Sequence, residues 1–323
     1  MSVAATPRYE GPILVLTGPT TSGKTDLSIE LSRRRPIEII SMDSRQVYVG
    51  MDIGTDKVRA ERRAAIPHHG LDLVRPDQRY SAGQFGRDAR RWIEGIRARG
   101  ALPVVAGGTG FFLKSLLSPI FTEPELDPER RERLRSWLGG QVRETLEHFT
   151  RALDPARAEM AVQGGPQRMA RTIEVALLTG VPLSRWHEVS PPEAPGVSAA
   201  VVVLDLPREE IDRRIVKRID RMVERGLEQE VRALLEAGYG EDAPGMSGTG
   251  YREMARYLRG EVTLQEAKDD ISTNTRRYAR RQRTWFRHQL PGHAITVDAT
   301  QPVEQQAERA LHALHVRALE GSE

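Results

Sequence analysis

The chain has 323 residues, no cysteine, and 48 Lys and Arg against 45 Asp and Glu, a formal net charge of +3. Without cysteine there is no disulfide, no thiolate metal site and no cysteine nucleophile, so a metal here is expected to be an oxygen-ligated one such as Mg²⁺. No apolar run is long enough to span a bilayer and residues 1–10 lack the apolar stretch of a secretory signal, so the cytoplasm is the expected compartment and a membrane is not an expected partner.

The first apolar run, 13–16, predicts a strand, and Thr17-Gly18-Pro19-Thr20-Thr21-Ser22-Gly23-Lys24-Thr25 follows it and opens a helical stretch. In this frame the two glycines let the backbone turn with its N–H groups inward, Lys24 reaches an outer phosphate, and the Thr25 hydroxyl suits Mg²⁺. A diphosphate or triphosphate is the expected ligand. Whether it is transferred, hydrolysed or a leaving group stays open. A second strand, 37–41, is followed by Asp43-Ser44-Arg45-Gln46, and a third, 103–106, by Gly107-Gly108-Thr109-Gly110. In a parallel sheet the loops after the strands open on one edge, so Lys24, Asp43 and Thr109 are expected to line one pocket. Asp43 also suits a turn or helix cap, Asp52 and Asp56 are alternative acids, and the glycine run suits a tight turn. His68-His69 reads as a structural or loop pair, because adjacent residues do not share a helix face.

From 122 to 195 no strand pattern appears; 127–138, 143–153 and 166–178 read as helices, with Gly139-Gly140, Gly164-Gly165 and Gly180 as breaks and proline-rich 190–196 as a return linker. Further strands are predicted at 200–206 and 294–297. The fold class is α/β, a P-loop NTPase-like parallel sheet with helices on both faces, organised as core 1–121, an all-α insertion 122–195, and core 196–323 with basic C-terminal helices. In the helical segment 209–237, Ile211, Ile215, Ile219 and Val223 form a core stripe. Arg214, Arg218, Arg221 and Arg225 form a second stripe, read as a salt-bridged face or, for one of them, a phosphate contact. Asp205, directly after the apolar run Val201-Val202-Val203-Leu204, imitates a metal-holding acid. Arg276, Arg280, Arg283 and Arg287 fall on one helix face among Tyr278, Trp285 and Phe286, which fits either a nucleic-acid backbone or a solvated surface.

The motif from Gly18 to Thr25, then Asp43-Ser44-Arg45-Gln46-Val47-Tyr48, Gly50-Met51-Asp52-Ile53-Gly54-Thr55, Pro67-His68-His69, Gly107-Gly108-Thr109-Gly110, Gly250-Tyr251-Arg252-Glu253 and Arg280-Arg281-Gln282-Arg283-Thr284-Trp285-Phe286 occur in this order. Together they resemble the bacterial tRNA dimethylallyltransferases over almost the whole chain. The resemblance implies transfer of the prenyl group of dimethylallyl diphosphate to N6 of the adenine 3′ of the tRNA anticodon, by a monomer. It implies that the phosphate loop with Lys24, Thr25 and Mg²⁺ holds the leaving diphosphate, that Arg218 and Thr109 add contacts, and that Asp43 takes the amine proton. It also implies tRNA contacts at 43–46, at Thr109, at Arg131, at Gln167-Arg168-Met169-Ala170-Arg171 in the insertion, and at Gly250-Tyr251-Arg252. Two departures stand out: Met160-Ala161-Val162-Gln163-Gly164-Gly165 replaces the family's usual run before the Gln-Arg element, and Phe112 replaces a tyrosine. The rival readings are a P-loop kinase using ATP, a prenyltransferase of free adenine nucleotides, and an RNA-binding NTPase.

Overall fold

The run Ile13–Thr17 forms β1, and all five residues are buried. Strands of a parallel sheet covered on both faces read as continuous apolar runs, and this one does. In the computed structural model, residues 7–121, 124, 126–189 and 192–321 are described. After β1 come α1 (Lys24–Arg34), β2 (Ile37–Ser41), α2 (Ala60–Ala65), β3 (His68–His69), α3 (Ala82–Ala98), β4 (Leu102–Ala106) and α4 (Gly110–Leu117). The chain then builds β5 (Ile120–Phe121), α5 (Pro128–Gly139), α6 (Arg143–Leu153), α7 (Pro155–Gln163), α8 (Pro166–Thr179), α9 (Leu183–Val189) and β6 (Pro192–Ala194). It closes with β7 (Ala199–Asp205), α10 (Arg208–Glu224), α11 (Leu227–Glu236), α12 (Tyr251–Leu258), α13 (Leu264–Gln289), β8 (Ile295–Asp298) and α14 (Val303–Glu320).

Two compact units result, Met1–Ser118 with Gly196–Glu323, and Pro119–Pro195. The first holds a six-stranded sheet in the order β3-β2-β4-β1-β7-β8. Every pairing in it is parallel, with Val15 of β1 opposite Val105 on one side and Val201 on the other. Ile13, Leu14, Leu16, Val104 and Val202 are fully buried, and each such side chain contributes about 1.5–3 kcal/mol relative to exposure. Helix α3 starts where Ser81 accepts from Gln84 N–H and turns Phe85, Ala89, Ile93 and Ile96 inward. Gly226, at φ 97°, ends the predicted 209–237 segment as two helices, α10 and α11. The histidine pair is an edge strand: His69 Nε2 lies 2.7 Å from Glu38 Oε2 and its ring stacks on Trp92.

The second unit packs Leu138, Leu146, Ala161, Val162, Met169 and Ile173 into its own core. Asp127 caps α5, with Pro128 in the first turn, and Asp154 caps α7 while also accepting from Ser184 N–H and Oγ. Two expectations change here. Helices α7 and α9 join the three predicted ones, and the unit is not all-α, since β6, inside the expected linker, pairs antiparallel with β5, just before the expected insertion. Positions 190 and 191 of that linker lie outside the described residues. No helix among the described residues is long and apolar enough to cross a membrane.

Candidate active site

The order of the sheet decides the site. β1 lies between β4 and β7, and β2 lies beyond β4, so the loops after β1, β2 and β4 leave the same edge side by side. The loop after β1 turns on Gly18, where φ is 141° and an added Cβ would stand 2.4 Å from the Leu204 carbonyl oxygen. Gly23, at φ 91°, is the N-cap of α1, so the loop delivers the free N–H groups of a helix start. Lys24 Nζ donates to Gly18 O at 3.0 Å and Pro19 O at 2.8 Å, arching over the loop. Burial pushes its pKa down to about 8, against the opposing pull of the Asp43 carboxylate and with a smaller push from Arg218. Thr21 sits at φ 66° with its Oγ1 buried and unpartnered among the described residues. Such a cradle fits an anion of two linked phosphates.

Opposite it, the Asp43 carboxylate accepts from Arg45 N–H at 2.8 Å. The alternative acids are engaged elsewhere: Asp52 with Lys57 at 2.8 Å, and Asp56 with Arg218 and Arg225, each at 3.5 Å. Asp43 is therefore the carboxylate of the three that no cation neutralises by a direct ion pair. Thr109 Oγ1 accepts from Ser44 N–H at 3.0 Å, joining the loops after β2 and β4. Arg218 donates to Thr20 Oγ1 at 2.7 Å, so of the four arginines in its stripe it is the one whose side chain bonds a phosphate-loop side chain; Arg214 reaches Thr21 O at 3.2 Å. Asp205, the acid that follows the apolar run of β7, is ion-paired with Arg283 at 3.4 Å. Among the described residues no cluster of three or more His, Asp or Glu could hold a metal.

Some predicted contacts face inward. Tyr251 is 1% exposed and its hydroxyl donates to Glu230 at 2.6 Å, so its side chain is not available to RNA. Gln46 is bonded to Ser41 Oγ and Thr55 O, and Arg45 donates to Pro244 O and Ser247 Oγ. Gly250 N–H is taken by Glu253, while Arg252 is exposed. In the second unit Met169 is fully buried and Ala170 packs against that core, whereas Gln167 and Arg168 are exposed. Arg131 and Arg171 converge with Arg135 on buried Glu174. The basic face of α13 is rotated from the predicted one: Arg276 pairs with Asp212 and Arg283 with Asp205, while Arg277, Arg280, Arg281, Arg287 and His288 are exposed along one side.

Four participants take roles that the sequence does not assign to them: Tyr278 reads there only as an aromatic of the basic face and Gln282 only as part of the Arg280–Phe286 motif, while Glu230 and Lys57 have no role there. Nothing in the local pattern indicates which partners Gln282, Tyr278, Glu230 and Lys57 take. Tyr278 hydrogen-bonds Thr109, and burial with the nearby Asp43 pushes its pKa up to about 12. Glu230 accepts from the N–H groups of Asp52, Ile53 and Gly54 at 2.7–3.0 Å, fixing the loop that holds Arg218. Lys57, with no exposed side-chain surface, ties Asp52 to Asp72.

A parallel sheet with a phosphate loop on its central strand, beside a loop carrying a carboxylate and another carrying a threonine, places the chain in the α/β phosphate-loop class. The IPP transferase family model matches residues 46–289, and an isopentenyl transferase model matches residues 12–64. The chain is 41% identical over 313 residues to the tRNA dimethylallyltransferase of Thermomicrobium roseum, covering 96% of this chain and 94% of that one. It is also 41% identical to that of Acetivibrio thermocellus, over 85% and 88% of the two chains. Among solved structures, the tRNA isopentenylpyrophosphate transferase of Bacillus halodurans matches at TM-score 0.70 and 31% identity, over 97% of this chain and all of that one. A eukaryotic dimethylallyltransferase described as acting on tRNA matches at TM-score 0.78 and 26% identity, over 94% and 78%. The chain belongs to the tRNA dimethylallyltransferase family of prenyltransferases. These likenesses do not favour a kinase.

Proposed function

We propose that the chain moves the dimethylallyl group of dimethylallyl diphosphate to the exocyclic N6 of the adenine 3′-adjacent to a tRNA anticodon. The observation that carries the reading is the facing of two loops: a lysine-lined phosphate cradle on one side and, on the other, an Asp43 carboxylate with no direct ion pair among the described residues. An adenine amine is a weak nucleophile, since its lone pair is delocalised into the ring. The allylic carbon must therefore be made electrophilic by stabilising the diphosphate that leaves it. Lys24, Arg218 and the N–H groups at the start of α1 do that. The allylic C–O bond breaks, the N6–C bond forms, and the N6 proton passes to Asp43. Thr109 holds the Ser44 turn beside it. The adenine must leave its stack to enter.

Mg²⁺ fits this site in one way. The Thr25 side chain is exposed in the first turn of α1, next to Lys24, so Thr25 with diphosphate oxygens and water would hold the ion. It would neutralise charge on the leaving group. Asp205 is committed to Arg283 and is not part of that set.

For the RNA, the exposed arginines of α13 and, in the second unit, Gln167, Arg168 and the Arg131–Arg171 cluster supply cations and donors for the anticodon stem-loop. The chain is read as acting as a monomer, and a tRNA substrate supports action in the cytoplasm. The test incubates the chain with allyl-labelled dimethylallyl diphosphate, Mg²⁺ and unmodified tRNA. Label is expected in the RNA. Label absent from RNA while ATP supports phosphate transfer to a small acceptor would overturn the reading.

A further inference from the structure

Helix α13 turns three residues toward the site at helical spacing: Tyr278 to Thr109, Gln282 to both loops, and Trp285 against Gly110, where an added Cβ would stand 2.4 Å from the indole. Gln282 is the middle one and the most buried of the three. Its Oε1 accepts from Thr20 N–H at 2.9 Å, and its Nε2 donates to Gly108 O at 2.8 Å. The two partners fix which end of the amide is which, because one is a backbone donor and the other a backbone acceptor. The bond to Thr20 occupies an amide at the crown of the phosphate loop and leaves the N–H groups nearer α1 for a ligand. The bond to Gly108 holds the residue that precedes Thr109. The approach is close: a Cβ on Gly108 would stand 2.0 Å from Gln282 Nε2, so a side chain there would displace the Gln282 amide.

We infer that Gln282 is a positioning residue for the transfer, one amide that sets the separation between the diphosphate cradle and the Thr109 loop beside Asp43. This inference rests on the function proposed above. In its chemistry Gln282 does not touch the reacting atoms; it fixes where the donor's leaving group sits relative to the acceptor's amine. Misplacement by about 1 Å costs on the order of a hundredfold in rate, so the expected effect is large.

Two variants separate positioning from mere packing. Gln282→Met keeps the length and loses both bonds. Gln282→Glu keeps the acceptor for Thr20 N–H, but as a carboxylate it has no proton for Gly108 O; once protonated, its O–H restores that donor. Burial raises a carboxyl pKa, so the ratio of variant to wild-type kcat is expected to climb as the pH falls from about 8 to about 6. For Gln282→Met, kcat is expected to fall at least about tenfold and the Kd of inorganic diphosphate to rise several-fold, with tRNA affinity within about twofold of wild type. The inference is overturned if Gln282→Met keeps both diphosphate affinity and kcat. It is equally overturned if Gln282→Glu keeps the wild-type pH profile while activity merely follows a lowered Tm. Failure of the transferase reading shows separately, in the wild-type labelling assay, and diphosphate binding then still decides for or against Gln282.

Discussion

Replacing Asp43 by asparagine isolates proton acceptance from every other role of that side chain. One carboxylate oxygen is occupied by Arg45 N–H at 2.8 Å, a turn-stabilising bond worth about 0.5–1.5 kcal/mol net. Asparagine keeps that bond with its carbonyl oxygen and so keeps the turn. What it presents to the amine of the adenine is then an NH₂ group, which offers two protons where one must be received. A positioned general base is worth about 10²–10⁴ in rate, or about 3–5 kcal/mol of barrier at about 1.4 kcal/mol per decade. Single-turnover transfer of labelled donor to tRNA should therefore slow by that factor in Asp43→Asn. Filter binding should give tRNA affinity within about threefold of wild type, and Tm should hold. Alanine at the same position loses the turn as well and gives a mixed result. Turnover of Asp43→Asn within threefold of wild type would falsify the assignment of Asp43 as the proton acceptor.

Two further outcomes follow from charge. Lys24 has its pKa lowered to about 8 in the free chain, chiefly by burial, so it loses its charge as pH rises through that value; a bound diphosphate favours the protonated form. Diphosphate affinity should then fall by up to about tenfold per pH unit above about 8, with proton uptake on binding seen calorimetrically in two buffers. Lys24→Arg should lose that dependence because a guanidinium stays charged; an equal slope in both proteins refutes the role. On α13, Arg277, Arg280 and Arg287 are exposed without an ion pair among the described residues. Replacing all three by serine should lower the slope of log Kd for tRNA against log salt by about 2–3, and an unchanged slope removes this face from the RNA interface.

The phosphate loop was legible because strand, loop and helix are contiguous, and local geometry fixes all three. Asp43 and Thr109 were legible for a topological reason: parallel strands send their following loops to one edge. Gln282 was visible as a motif position, but its role was not, because its partners lie 262 and 174 positions away and nothing local points to them. The arginine face of α13 was misplaced for a related reason. An ideal helical wheel knows nothing of Asp212 and Asp205 on neighbouring elements, and these draw Arg276 and Arg283 sideways. Met169 and Tyr251 show a further limit. Membership of a motif says that a position matters; whether its side chain faces ligand or core depends on the packing of α8 and α12. Strand β6 escaped notice because a proline-rich stretch suggests a linker, although prolines are tolerated on the edge of a two-stranded ribbon.

The position of β1 also has a meaning for biosynthesis. Its neighbours are β4, made soon after it, and β7, which begins at Ala199 on the far side of the helical unit. A nascent chain must grow by roughly 180 residues after Thr17 before β7 exists, which at about 5–20 residues per second is roughly 10–40 s. Through that interval the strand that carries the phosphate loop has at least one open hydrogen-bonding flank, and both until β4 is made, and the helical unit is completed before β7. The central strand of the enzyme is thus among the first segments translated and among the last to be enclosed.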